Sequence, residues 1–433
     1  MKMRYNINMK LINLNAEAFD SFIKSSSKSH YLQTSCWGEV AKTRNYTIHM
    51  LGLVDENNEI HATALLLEKK VLYYSTFYCP RGFVADFNNR ELVDEMLKQL
   101  KAYVKNHHGL YLRMDPDIIL HKLDENGEVI EDLPEAHQIL DNLIKNGGKH
   151  RGFTIRFNEA SLPRFTFRVS LAGSDEDILN RMHPKTRKVF KNGNQFKVQV
   201  YKGDMDSVVA FHETMKETAR RKHLLLEPLN YFTNYYSILN KHDMSDIYVA
   251  KVNINDLKDT YHKDIAEVES ELKEYEGNNS KKARGKTNDL NARLTKLNKE
   301  LNEVNKIDEE EIILSSVLTA KFNDKVWLIH GGNKDILQFV NANYWLYYKI
   351  MQDAKAEGYQ VVDFFGTEGK IDKSSDLYGI YLFKYRFGGD FDEFIGEFDY
   401  IVRPFMNKII GTALVARRKI KLKLAINKAK HAK

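Results

Sequence analysis

VWLIHGGNKDILQFVNANYWLYYKIMQDAKAEGYQVVDFFG, residues 326–366, reads as strand, turn, helix and strand in succession. Val326–His330 is the first strand and Gly331-Gly332-Asn333 the turn; Val340–Ala356 is the helix and Val361–Phe365 a strand ending at Gly366. Nearly the same order occurs earlier. Val71–Tyr78 is aromatic and β-branched, Pro80-Arg81-Gly82 breaks it, Arg90–Asn106 has helical periodicity, and the short strand Leu110–Met114 is closed by Asp115-Pro116. Gly82 lies 33 residues before Asp115, and Gly332 lies 31 before Asp363. Matched spacing of this kind predicts two similarly built α/β lobes. Ahead of the first unit, Tyr46–Leu53 and His61–Leu67 are strands separated by the turn signal Asp55-Glu56-Asn57-Asn58.

Between the two units the pattern changes. Leu257, Tyr261, Ile265, Val268, Leu272 and Tyr275 step by fours and threes; beyond Gly277-Asn278-Asn279-Ser280, so do Leu290, Leu294, Leu297, Leu301 and Val304. Such spacing on both sides of a polar turn predicts an antiparallel helical hairpin. The charges complement one another. Asp256–Glu276 has eight acidic and three basic residues, whereas Lys281–Lys306 has eight basic and three acidic.

The composition, 43% hydrophobic and 29% charged over 433 residues, excludes a disordered chain and leaves room for two or three domains. Cys36 and Cys79 are too few for a disulfide framework and fit a reducing compartment. No apolar run reaches the length of a signal peptide core or a membrane span. The formal net charge of +6 is unevenly placed: Ile401–Lys433 holds ten Lys/Arg and no acid, so the other 400 residues are net −4. Apolar and basic residues interleave in this tail, which predicts a partly amphipathic basic helix. It is suited to an anionic membrane surface, to RNA phosphates, or to plain solvation.

Motifs for nucleophilic, metal or phosphate-loop chemistry are missing: there is no HExxH, CxxC, GxSxG or GxxxxGK[ST]. The 15 histidines show no ligand spacing, so no metal is expected. Arg386-Phe387-Gly388-Gly389-Asp390-Phe391 begins like the acyl-CoA loop of acetyltransferases but ends in Phe, where a pyrophosphate-wrapping backbone needs a small residue. The run Arg181, His183, Lys185, Arg187, Lys188, Lys191 points to an anionic partner or to a solvated helix face. Lys384, between Phe383 and Tyr385 in an apolar, strand-like run, is either a fixed positive charge for an oxyanion or a snorkelling lysine.

Taken in order, several segments resemble the Fem (FemABX) family, which transfers amino acids from aminoacyl-tRNA onto the peptidoglycan precursor. They are Gln33-Thr34-Ser35-Cys36-Trp37, Pro80-Arg81-Gly82, Arg113-Met114-Asp115-Pro116, Leu162-Pro163-Arg164, His183-Pro184-Lys185-Thr186-Arg187-Lys188, Pro228-Leu229-Asn230-Tyr231-Phe232, Tyr381-Leu382-Phe383-Lys384 and Ile395-Gly396-Glu397-Phe398-Asp399. Trp37 and the Gly-Glu-Phe-Asp ending look more like the FemX and MurM branch than like FemA and FemB.

The resemblance implies an α/β (α+β) fold with two GNAT-like (acetyltransferase-like) lobes, at 1–160 and 161–392. It also implies a coiled-coil arm at 254–308 inserted in the second lobe, and a return to the first lobe with a basic helix at 393–433. It further implies transfer from aminoacyl-tRNA to the stem-lysine amine of lipid II, as the first residue of the interpeptide bridge. The ester donor is already activated, so neither metal, ATP nor CoA is called for. Expected partners are aminoacyl-tRNA, lipid II, other Fem-type transferases and the inner face of the cytoplasmic membrane, on which a cytoplasmic protein would sit peripherally.

Carried over residue by residue, Lys384 and Phe383 match the family's Phe-Lys pair, whose lysine stabilises charge at the reacting ester. Asp115 is the matching carboxylate, without being an obligatory base, and Trp37, Tyr231 and Tyr381 fall among substrate contacts. The family's phosphate-binding lysine falls at Ala41, with Lys42 next to it; the phosphate-binding arginine is replaced by Glu227, leaving Arg220 or Arg221 to serve. His330 stands for an aromatic tyrosine, and Lys185, Arg187, Lys188 and Lys191 are assigned to tRNA. Two other readings compete: an acyl-CoA-dependent N-acyltransferase of the same fold, and a catalytically silent RNA- or membrane-binding adaptor.

Overall fold

The computed structural model describes residues 9–410 and 412, apart from 158, 192, 370 and 371. The basic amphipathic helix expected from the tail therefore lies almost wholly outside the described residues; residues 404–410 are helical. Among the described residues, no helix is long and apolar enough to cross a membrane. The chain divides into two compact units, one of residues 1–165, 366–370 and 392–433, the other of residues 166–365 and 371–391.

In the first unit, seven strands form a mixed sheet in the order Lys10–Asn13, Thr47–Val54, Ile60–Val71, Tyr74–Cys79, Gly109–Met114, Phe398–Ile401, Lys149–His150. All neighbours are antiparallel except Tyr74–Cys79 and Gly109–Met114, which run parallel with Cys79 opposite Met114. A parallel pair needs a crossover, and the helix Arg90–Asn106 supplies it. Asn89 caps that helix, accepting from the Leu92 amide at 3.2 Å, and Leu92, Val93, Met96, Leu97, Leu100 and Val104 form its buried stripe. Val71 belongs to the preceding strand, and the chain reverses at Leu72-Tyr73, so the aromatic run is a hairpin rather than one strand.

The second unit repeats the plan. Its strands run Gln199–Gly203, Ile247–Asn253, Glu311–Phe322, Lys325–Asn333, Val361–Asp363, Phe165–Ser170, and the parallel join is between Lys325–Asn333 and Val361–Asp363, bridged by the helix Ala342–Ala356. Antiparallel strands feeding a parallel pair through a helix give each unit the GNAT-like plan.

One expectation fails here. Gly331-Gly332-Asn333 is not a turn: the strand continues through it, with Gly332 paired to Ser316 and Asn333 to Ser315. The glycines serve close approach, because a Cβ on Gly332 would stand 2.6 Å from the Met215 backbone nitrogen of the helix Ser207–Lys222.

The arm grows from the open end of a β-hairpin. Asn253 and Glu311 are paired neighbours, so the 57 residues between them leave and return at one place in the sheet. Its helices, Ile254–Glu274 and Lys281–Val304, are capped by Asn253 and Ser280. Leu257, Tyr261 and Val268 are buried on the first, Leu290, Leu297, Leu301 and Val304 on the second. Polar contacts join them: Lys286 to Glu271 at 2.9 Å, and the Tyr261 hydroxyl donating to Glu300 at 3.1 Å.

Candidate active site

In the first unit the chemistry converges on Asp115, just past the end of the strand Gly109–Met114 and 2% exposed. Its Oδ1 accepts from the Arg81 amide at 2.9 Å, and the Tyr78 hydroxyl lies 3.1 Å from both carboxylate oxygens. Burial lifts its pKa to about 7, with Arg81 opposing the rise and Glu397 adding to it. The Pro80-Arg81-Gly82 motif is the ledge that caps this carboxylate. Arg81 takes a positive φ of 50°, sends its guanidinium over the Phe394 ring at 4.1 Å and donates to the Pro163 carbonyl at 2.7 Å. Gln33 ties the ledge to the sheet, donating to the Pro80 carbonyl at 2.7 Å and accepting from the Leu65 amide at 2.9 Å.

The second unit offers Lys384. The run around it is a helix, Tyr378–Tyr385, not a strand: an eight-residue aromatic-rich segment carries too little periodicity to separate the two in sequence. Lys384 is 9% exposed, and its ammonium donates to the Phe365 carbonyl at 2.8 Å. That carbonyl is presented by a backbone with φ of 53°, which Asp363 holds by accepting from the Phe365 amide at 2.8 Å. Burial brings the lysine pKa down to about 7, and the charge of Asp363 resists the fall. Asp363 is itself buried, taking hydrogen bonds from Thr166 at 2.5 Å and Arg168 at 3.1 Å. A buried ammonium held on the Phe365 carbonyl is a preorganised positive charge, suited to a developing oxyanion.

The FemAB family matches residues 14–414. The chain belongs to the FemAB family. A lipid II:glycine glycyltransferase of Staphylococcus epidermidis is 27% identical over 427 residues, spanning 96% of this chain and 99% of that protein. One of Staphylococcus aureus is 26% identical over 430 residues, with the same coverage. The crystal structure of FemX superposes with a TM-score of 0.73 at 26% identity, covering 93% of this chain and 99% of that one. This FemAB protein is accordingly a transferase of mixed α/β architecture.

The other expected site residues of the FemAB protein divide by unit. In the first, Trp37 sits in the helix Ser35–Lys42, edge-on to Tyr31 with ring centres 5.8 Å apart. Lys42 is half exposed and paired to Glu39 at 2.7 Å, an ion pair that water largely screens. In the second, Tyr231 and His330 come together with ring centres 6.3 Å apart, and Phe232 packs 5.2 Å from His330. Phe383 joins an aromatic cluster with Tyr344, Tyr347 and Phe387, and Tyr381 packs on Phe167 and Phe391.

Of the two arginines at the end of the helix Ser207–Lys222, Arg221 pairs with Asp335 at 2.6 Å, while Arg220 is exposed. The basic run also divides. Arg187 turns back to the Asn180 carbonyl at 3.0 Å, whereas Lys185, Lys188 and Lys191 are exposed on the helix Pro184–Lys191.

Sequence reading missed how the recognition motifs serve the fold. Arg113 and Asp399, from two of those motifs, are cross-strand neighbours joined by a bidentate pair at 2.8 and 3.1 Å. Arg164 is buried between the Phe394 and Thr154 carbonyls and Glu393. In the sequence Asp363 stands out only by its spacing from Gly332; its contact with the backbone that holds Lys384 comes from the fold. No local signal marks that contact.

Proposed function

We propose that the protein transfers an amino acid from aminoacyl-tRNA to the stem-lysine amine of lipid II. The observation that carries this reading is the buried Lys384 ammonium, in a chain whose full-length relatives are lipid II:glycine glycyltransferases. Those relatives favour glycine as the residue moved and the first bridge position as its destination. In the reaction the lysine nitrogen attacks the ester carbonyl, the carbon–oxygen bond to ribose breaks, and the ribose hydroxyl leaves with the proton. The amine first gives one proton to solvent to become a nucleophile, because an unperturbed lysine amine has a pKa of about 10.4. The second proton, shed by the nitrogen as the amide forms, goes to the leaving ribose oxygen, our preferred acceptor, with Asp115 assisting rather than obligatory. Lys384 stabilises the oxyanion, and no metal, ATP or CoA takes part.

Lys185, Lys188 and Lys191 are assigned to tRNA phosphates, and Arg220 to the lipid II diphosphate in place of the cation that Glu227 displaces. Trp37, Lys42, Tyr231, His330 and Tyr381 complete the substrate contacts. The basic tail holds the enzyme peripherally at the inner membrane face, and other Fem-type transferases would extend the bridge. The test is incubation with glycyl-tRNA and lipid II, followed by mass analysis of the precursor. One added glycine, abolished by prior ribonuclease treatment, is the expected result. No ribonuclease-sensitive transfer from any charged tRNA would sink the reading, and acetyl transfer from acetyl-CoA would replace it.

A further inference from the structure

In the first unit, three elements within residues 121–137 bring His121, Asp132 and His137 together. The strand Ile119–Leu123 pairs with Val129–Asp132 in a register that sets His121 opposite Asp132. The helix Pro134–Lys145 starts with Pro at its first position, which brings His137 back toward Asp132. His137 Nε2 lies 2.6 Å from Asp132 Oδ1, and His121 Nε2 lies 3.4 Å from the same oxygen. One donor atom from each residue falls within 4.8 Å of the other two. The two ring centres are 5.6 Å apart. Imidazoles sharing one tetrahedral ion, at about 2 Å per bond, have ring centres roughly 5 Å apart.

The far side of His121 supplies a second observation. Its Nδ1 lies 2.6 Å from Glu393 Oε2. A carboxylate only accepts, so this contact places a proton on Nδ1 and turns Nε2 toward Asp132. Glu393 is anchored in turn by Arg164, whose side chain is 3% exposed. A carboxylate behind the imidazole, itself held in place, is how proteins orient a metal-ligating histidine.

We propose that His121, Asp132 and His137 form a site for one divalent transition ion, zinc by its two-nitrogen, one-oxygen donor set, with a fourth position open to water. Two imidazoles select against calcium and magnesium, which take oxygen ligands. Ten residues separate the first pair of ligands and four the second, a spacing that matches no linear motif because the hairpin register creates it. The ion would cross-link two strands and a helix, and the site does not depend on the transfer reaction proposed above.

The experiment is a titration of chelator-stripped, full-length protein with Zn²⁺, and separately with Co²⁺. One bound equivalent is expected, with the intense visible bands of four-coordinate Co²⁺. His137 and Asp132 are each about half exposed, so His137→Ala and Asp132→Asn should keep their urea midpoints in chelator while binding zinc about tenfold more weakly or worse. Glu393→Gln should weaken binding about 10–100-fold through the orientation of His121. No uptake by the wild type would leave a proton bridging the His–Asp–His cluster. That result, or equal uptake by the wild type and both ligand variants, overturns the proposal.

Discussion

Burial strips water from the Lys384 ammonium and brings its pKa from 10.5 down to about 7, so the charge is held near the edge of its range. The protonated form is lost as pH rises through about 7. If the ammonium stabilises the oxyanion, single-turnover rates should carry a falling limb centred there. Lys384→Met keeps the bulk and removes the charge; a rate loss of about 10²–10³ is expected, together with disappearance of that limb. A limb that persists in the variant belongs to another group.

Asp115 is displaced the other way, from 3.8 to about 7, so its neutral form is favoured by folding. The stability this contributes is present below pH 3.8 and is lost as pH rises through about 7. Asp115→Asn imitates the neutral carboxyl. Its urea midpoint should therefore change less than that of the wild type between pH 5 and pH 8. Equal changes would mean that the buried carboxylate is not the group being titrated.

At the scale of elements, two glycines make opposite predictions. Gly332→Ala drives a Cβ into the backbone of the helix Ser207–Lys222, at 2.6 Å from the Met215 nitrogen, and should cost about 1–3 kcal/mol or more in denaturant unfolding. Gly285 lies exposed inside the arm helix Lys281–Val304, with open space where its Cβ would be. Gly285→Ala should stabilise that helix by about 0.5–1 kcal/mol, read as a higher unfolding midpoint. The difference comes from what packs against the two glycines, and that is why Gly331-Gly332-Asn333 reads as a turn until the neighbouring helix is seen.

For the whole molecule, the placement of charge outweighs its total. The chain up to Tyr400 is net −4 and Ile401–Lys433 is +10, so any general attraction to polyanions must come largely from the tail. Trimming after Asn407 removes nine of the ten basic residues there. At about 1 kcal/mol for each basic residue near an anionic surface, vesicle binding should fall by orders of magnitude and should be salt-sensitive in the full chain. Transfer to a soluble lysine-peptide analogue should persist in the trimmed protein. Unchanged vesicle sedimentation would remove the tail from membrane binding and leave it to RNA or to solvent.

Local pattern determined a good deal by itself. The helix Arg90–Asn106 carries its own cap and apolar stripe, and the arm carries its own heptad-like seam and complementary charge, so both are legible from neighbours three and four residues apart. Family membership was legible because the ordered motifs survive as linear text. Tertiary structure decided what those motifs do. Arg81 reaches Pro163 across 82 positions, Arg113 reaches Asp399 across 286, and Lys384 finds the Phe365 carbonyl 19 residues back. The same holds for the helical state of Tyr378–Tyr385 and for the meeting of His121 with Asp132. In each case the deciding force is desolvation or a pairing register, and both depend on which distant residues the folded chain brings alongside.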